Sequence, residues 1–253
     1  MSDIIHEDAW QQLKAFTHAR IALGRTGTAV PLQEQLHFRM AHALARDAVH
    51  TPLQTHLLAE ALAPLKLPLL QLHSQAGSRE EYLQHPDMGR KLSLPSAALL
   101  QQHTTGTTDI ALMVGDGLSA IAVQQHAPAL LHTLVPLLRN QGFTLSPLAI
   151  IEQARVGISD ETAYLLKARL ALLLIGERPG LSAADSLGVY MTYNPRPGLT
   201  DEARNCISNI RPAGLPPAEA AHKIHYLVQQ AFLRQLTGVQ LKDNYPSAAL
   251  PEK

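Results

Sequence analysis

The sequence predicts an α/β protein, a Rossmann-like, mostly parallel sheet flanked by helices and preceded by a helical N-terminal region. Three observations carry this. From about residue 108, short apolar runs alternate with amphipathic stretches, the pattern in which crossover helices cover a parallel sheet. Three of those runs end in glycine-bearing motifs: Gly115-Asp116-Gly117, Arg155-Val156-Gly157 and Gly176-Glu177-Arg178-Pro179-Gly180. The first hundred residues read instead at the helical period. The expected division is a helical region over 1–104 and a Rossmann-like domain over 105–253.

Taken in order, Ile4, Ile5, Trp10 and Leu13 form one apolar helical stripe near the start. In "ARIALGRTGTAVP", Gly24 and Gly27 surround Arg25, which suits an exposed turn or close backbone approach to a ligand. Residues 32–49 place Leu36, Met40, Ala43, Leu44 and Val49 near helical spacing, and Pro31 opens the segment where a missing N–H costs nothing. "LQTHLLAEALAPL" is a second apolar segment ending near Pro64. The polar stretch that follows is broken by Gly77, Pro86, Gly89 and Pro95.

"DIALMVGDGLSA" then reads as a strand, with a helix running to about Arg139. "SPLAIIEQARVG" is a second strand, "DETAYLLKA" a short helix, "RLALLLIG" a third strand and "SLGVYMTY" a fourth. Residues 216–237 close with a helix carrying Ala220, Ile224, Leu227, Val228, Ala231 and Leu236. Ligands of such sheets bind beyond the carboxyl ends of the strands, so the three glycine motifs are expected to share one edge.

Composition narrows the function. Lys+Arg and Asp+Glu are balanced at 21 each, which argues against nucleic acid as the main ligand. No apolar run reaches the roughly 18 residues of a membrane span, and the N-terminus lacks a basic start followed by an apolar core. A single cysteine, Cys206, rules out an internal disulfide and fits a reducing compartment, so a cytoplasmic location is expected. Thirteen histidines invite a metal reading, but no His-x-x-x-His or Cys-x-x-Cys occurs. His222 and His225 lack an obvious third ligand, and no metal site is expected.

"GDGLSA" fits the Gly-x-Gly-x-x-Gly/Ala pattern of dinucleotide-binding folds. Two features oppose that reading. Asp116 puts a carboxylate where a pyrophosphate would approach, and the acid expected about 20 residues later is missing from "LLRNQGFTL". No Gly-x-Ser-x-Gly elbow, Lys-bearing phosphate loop or paired-acid motif is present either. The polar groups at the sheet edge read as a binding surface, with no catalytic residue assigned.

Several long strings, in collinear order from about Phe16 to Asp243, carry a family resemblance. "FTHARIALGRTGTAVP", "HFRMAHALARDAVH", "REEYLQHPDMGRKL", "VGDGLSA", "IGERPGLSAADSLGVYMTYNPRPG" and "RNCISNIRPAGL" closely resemble small subunits of adenosylcobalamin-dependent ethanolamine ammonia-lyase. The resemblance implies a non-autonomous lyase subunit, active with a large TIM-barrel subunit that carries the substrate in a hetero-oligomer. The enzyme converts ethanolamine to acetaldehyde and ammonia by radical chemistry. It also implies that residues 105–253 contact adenosylcobalamin, through Val156 in "ARVG", Glu177 in "GERPG" and Cys206 in "NCISN". The absence of Asp-x-His-x-x-Gly agrees with a family whose cofactor keeps its own base on cobalt. Residues 1–15 could act as an encapsulation signal for a bacterial microcompartment or pack on their own domain.

The chemistry at the three positions is compatible with that implication. Val156 offers flat apolar contact for a corrin face, and Glu177 an acceptor for corrin amide N–H groups. Glu177 has a second reading, a salt bridge to Arg178 or Arg155 that ties the loop. Cys206 is expected to pack or hydrogen-bond weakly, the alternative being an inert buried thiol. Asp116 is expected to fix its own turn.

Overall fold

The structure, a computed structural model, describes residues 5–17, 19–104 and 106–246. Its elements in chain order are α1 (Leu32–His50), α2 (Thr55–Leu62), β1 (Leu69–His73), α3 (Arg79–Gln84), α4 (Leu94–His103), β2 (Thr108–Gly115) and α5 (Ala120–Asn140). Then come β3 (Leu148–Glu152), α6 (Ile158–Leu165), β4 (Ala168–Gly176), β5 (Leu187–Tyr193), β6 (Asn205–Ile210) and α7 (Pro217–Arg234). One six-stranded sheet runs in the order β1-β3-β2-β4-β5-β6. The β1–β3, β3–β2 and β2–β4 pairs are parallel, whereas β4–β5 and β5–β6 are antiparallel. The expected α/β class with a mostly parallel sheet is what forms.

Side-chain alternation sorts the sheet into two faces. Ile110, Leu112 and Val114 of β2, Leu170, Leu172 and Leu174 of β4, and Leu187, Val189 and Met191 of β5 share one core with α5 and α7. Ala111, Met113, Ala171, Leu173 and Ile175 face the other way, into a second core with α4 and α6. Burial on both faces is why these strands read as unbroken apolar runs. Tyr190 belongs to the second face and is only half-buried.

Two strands differ from the sequence reading. β1 lies in the stretch read as helical, and it forms the sheet edge by pairing with β3 from Leu69↔Leu148 to His73↔Glu152. β6, "NCISNI", went unread because only Ile207 and Ile210 of it are buried. An antiparallel edge strand covered on one face leaves too few apolar positions for a clear period.

The chain through α1 is only lightly attached, whereas α2, β1 and α4 pack into the cores. Helix α1 spans 19 residues but buries only Ala48, while Leu36, Met40 and Leu44 are 54%, 63% and 55% exposed. Its end is held by Arg79, whose Nε donates to the Val49 carbonyl at 2.7 Å. The predicted stripe of Ile5, Trp10 and Leu13 is exposed, and Ile4 lies outside the described residues. The glycines around Arg25 serve the chain itself. Gly24 (φ +72°) lets the backbone pass His6, whose oxygen would lie 2.7 Å from a Cβ there, and Arg25 bridges to His6. Within the described residues, no helix is long and apolar enough to cross a membrane.

Candidate functional site

The three glycine motifs do meet at one edge. A cleft of about 440 Å³ is lined by Gly117 and Leu118 after β2, Arg155 and Val156 after β3, and Ile175 to Arg178 at the end of β4. Tyr82 of α3 and Tyr190 of β5 complete its wall. A second hollow of about 430 Å³ shares Arg155, Val156 and Tyr190 and continues past Arg90, Gly157, Asp201 and Arg204. The two hollows adjoin, with Arg155, Val156 and Tyr190 lining both.

Backbone packing sets the floor. Gly117 (φ +59°) lies so close to β4 that a Cβ there would be 2.1 Å from the Gly176 oxygen. A Cβ on Gly176 would in turn be 2.0 Å from the Ser119 oxygen. The Leu118 N–H donates to the Gly176 carbonyl at 3.0 Å, locking the turn after β2 onto the end of β4. The space that a dinucleotide-binding reading of "GDGLSA" would give to a pyrophosphate is filled by the protein's own backbone.

Asp116 fixes the next loop. Its buried carboxylate accepts from the Gln153 N–H at 2.9 Å and the Ala154 N–H at 2.8 Å, with Arg79 at 3.5 Å. It therefore fixes more than its own turn, since it holds the strand-end loop that presents Arg155 and Val156. Tyr82 backs this loop. Its hydroxyl donates to the Ala154 carbonyl at 3.0 Å, and the guanidinium groups of Arg79 and Arg155 lie 4.6 and 4.2 Å from its ring centroid. Burial, and then the Asp116 charge, push the Tyr82 phenol well above its ordinary range, so it stays a neutral donor.

Glu177 is half-buried, and its Oε2 accepts from the Ser186 hydroxyl and from the Asn209 N–H, the latter at 3.2 Å. Neither Arg178 nor Arg155 forms an ion pair with it among the described residues, so the loop-tying salt bridge is not what the carboxylate does. Its Oε1 accepts no hydrogen bond among the described residues. Gly188 leaves room for it, since a Cβ there would sit 2.8 Å from Oε1 and displace the carboxylate.

Cys206 does not line the cleft directly. It pairs with Tyr190 across β5–β6 and, being out of phase with buried Ile207, lies on the Tyr190 side of the sheet. The residue is exposed, against the inert buried thiol that was one expectation. Partial desolvation is the largest cause that pushes the thiol up, Glu177 adds to it, and the Tyr190 hydroxyl opposes it. The structure thus brings Val156 and Glu177 together and sets Cys206 one residue behind, through Tyr190. Tyr190 was missed at the sequence level. Its signal is one aromatic hydroxyl at a position opposite in phase to Leu187, Val189 and Met191.

Beside the second hollow, Arg204 donates to the buried Asp160 and, at 2.9 Å, to Asp201. Burial raises Asp160 to about 6 against the pull of Arg204, and burial likewise raises Asp116 to about 6. A carboxyl whose folded pKa exceeds its unfolded value stabilises the fold fully below about pH 4, and that contribution is lost as pH rises through about 6. The lead in urea stability of wild type over Asp116→Asn is therefore expected to shrink by on the order of 3 kcal/mol between pH 4 and 7. A lead that widens with pH would contradict the burial argument.

No group of metal-ligating side chains occurs among the described residues. His222 and His225 lie on α7, where burial and then His222 lower His225.

Comparison with known proteins adds the family. The model for the ethanolamine ammonia-lyase light chain (EutC) matches residues 7–242. The curated ethanolamine ammonia-lyase small subunit of Ralstonia nicotianae is 52% identical over 242 residues, covering 94% of this chain and 90% of that protein. The small subunit of Azotobacter vinelandii is 51% identical over 247 residues, covering 96% and 92%. That of Pseudomonas aeruginosa is 48% identical over 253 residues, covering 99% and 93%.

Proposed function

The chain belongs to the ethanolamine ammonia-lyase light-chain family, and from that premise we propose that it is the small subunit of that lyase and forms one wall of an adenosylcobalamin site. The large subunit is the expected partner in a hetero-oligomer and the expected carrier of ethanolamine. The observation that supports the cofactor role is the convergence of the ends of β2, β3 and β4 on one cleft holding Val156 and Glu177. Its residues fit a corrin edge. Leu118, Val156 and Ile175 are apolar, and Glu177 Oε1 is an acceptor without a partner among the described residues. A corrin exceeds the drug-sized ligands that pockets of roughly 300–1,000 Å³ enclose, so this cleft covers one edge and leaves the rest to a partner.

When bound, adenosylcobalamin supplies the radical chemistry of the reaction. This chain's residues bind and orient. Val156 gives flat contact, and Glu177 accepts from a corrin amide while Ser186 and the Asn209 N–H hold its other oxygen. Cys206 acts at one remove, as a positioning residue for Tyr190.

Two measurements test this. Acetaldehyde formation from ethanolamine by the matching large subunit with adenosylcobalamin is expected only when this chain is added. In the reconstituted complex, Glu177→Ala is expected to weaken adenosylcobalamin binding about 10-fold, the loss of one charge-assisted bond, with a melting temperature lower by only a few degrees from the lost Ser186 and Asn209 bonds. Unchanged affinity would leave the chain an assembly partner without a cofactor contact.

A further inference from the structure

The cleft has a basic half that the contacts assigned above do not use. We propose that Arg90 and Arg155 form a subsite for the phosphodiester of the cofactor's nucleotide loop. This rests on the cobalamin reading and deepens it, by dividing the cleft into a corrin half and a phosphate half.

The two arginines are built into place by a reciprocal arrangement. A Cβ on Gly89 would lie 2.6 Å from Arg155 Cγ, and one on Gly157 would lie 3.4 Å from Arg90 Cβ and Cγ. Each stem therefore lies over the glycine next to the other arginine's loop, and the Arg155 N–H donates to the Gly89 carbonyl at 2.7 Å. The Arg155 guanidinium is further fixed by the Tyr82 ring at 4.2 Å and by a bond from Nη2 to the Tyr82 carbonyl at 3.2 Å.

Among the arginines that line the second hollow, charge pairing leaves these two over. Arg79 is matched by Asp116, and Arg204 by Asp160 and Asp201. Neither Arg90 nor Arg155 has a carboxylate partner among the described residues. The Arg155 Nε is buried with no acceptor among the described residues, as is the Arg204 Nε, so the side chain's hydrogen-bonding capacity is not met within the fold. Both line the second hollow, which shares Arg155 and Val156 with the corrin half. Asp201 also lines it, but its carboxylate is engaged by Arg204 at 2.9 Å. A phosphodiester is the anionic group of the nucleotide loop, and arginine's planar fork matches phosphate oxygens.

The test uses the complex reconstituted with the large subunit and equilibrium binding read by absorbance, not turnover. Two ligands are titrated: adenosylcobalamin and adenosylcobinamide, which lacks the phosphate and base. Arg90→Gln and Arg155→Gln are each expected to weaken adenosylcobalamin about 10-fold or more and adenosylcobinamide less than about 3-fold. Arg155→Lys keeps the charge but lacks Nε–H, and it serves if Arg155→Gln does not fold. Equal losses with both ligands, or no loss with either, would overturn the assignment. Inorganic phosphate is expected to compete with adenosylcobalamin and not with adenosylcobinamide. Phosphate that binds through these arginines without displacing either ligand would mark a free-anion site and overturn the nucleotide-loop source. A parallel Glu177→Ala arm separates the two levels, since no effect there on either ligand would remove the cobalamin reading itself.

Discussion

Asp116→Ala is expected to cost about 3–5 kcal/mol at pH 7, in the range for breaking a buried charged pair. The substitution removes the acceptor for two backbone N–H groups, those of Gln153 and Ala154, and the carboxylate facing Arg79. Arg79 keeps bonds to the Val49 and Gly117 carbonyls but loses its counter-charge in a largely buried position. For a domain of this size the cost corresponds to a melting temperature lower by about 10 °C. Asp116→Asn keeps one acceptor oxygen and is expected to lose less. If calorimetry shows Asp116→Ala within about 1 kcal/mol of wild type, the carboxylate is not what fixes the loop carrying Arg155 and Val156.

Gly176→Ala is expected to be as damaging, for a steric reason. The added carbon would lie 2.0 Å from the Ser119 oxygen and 2.6 Å from the Asp116 oxygen, both backbone atoms that no rotamer change can move. Relief requires separating the turn after β2 from the end of β4, which breaks the Leu118–Gly176 bond and opens the floor of the cleft. A cost of about 3–5 kcal/mol, above the usual range for overpacking because backbone atoms must move, should appear as low soluble yield or a depressed denaturation midpoint. Gly180→Ala is the matched control. Its nearest atoms would be 3.7 Å away, so a change within about 0.5 kcal/mol is expected. Equal behaviour of the two variants would show that the backbone approach at Gly176 tolerates a methyl group.

What was legible in the sequence follows from how completely each element is buried. β2, β3 and β4 are nearly all core, so their residue types alone mark them, and their glycine-bearing ends mark the cleft. β1 hides because "LLQLH" is five residues long and follows directly on a leucine-rich helix and turn. β6 hides because half of its residues face water. That omission also concealed how Cys206 relates to the cleft. Once "NCISNI" is a strand paired to β5, alternation alone sets Cys206 beside Tyr190. Val156 and Glu177 could be located from their motifs, but the partners of Glu177 could not. Ser186 and Asn209 reach it only through antiparallel returns that the apolar pattern does not encode. The unpaired Arg155 Nε was equally out of reach, because it depends on Gly89 and Tyr82, more than sixty residues earlier.

The light attachment of α1 has a consequence for cooperativity. A helix that buries one alanine gains little from tertiary packing, so its free energy of opening is set mostly by helix propensity and by the hold of Arg79 on its last turn. The sheet is expected to remain intact while the first three turns of α1 fray and re-form, so that amide exchange should resolve two units of unequal stability. Because Arg79 also touches Asp116, the boundary between those units runs through the same side chain that supports the cleft.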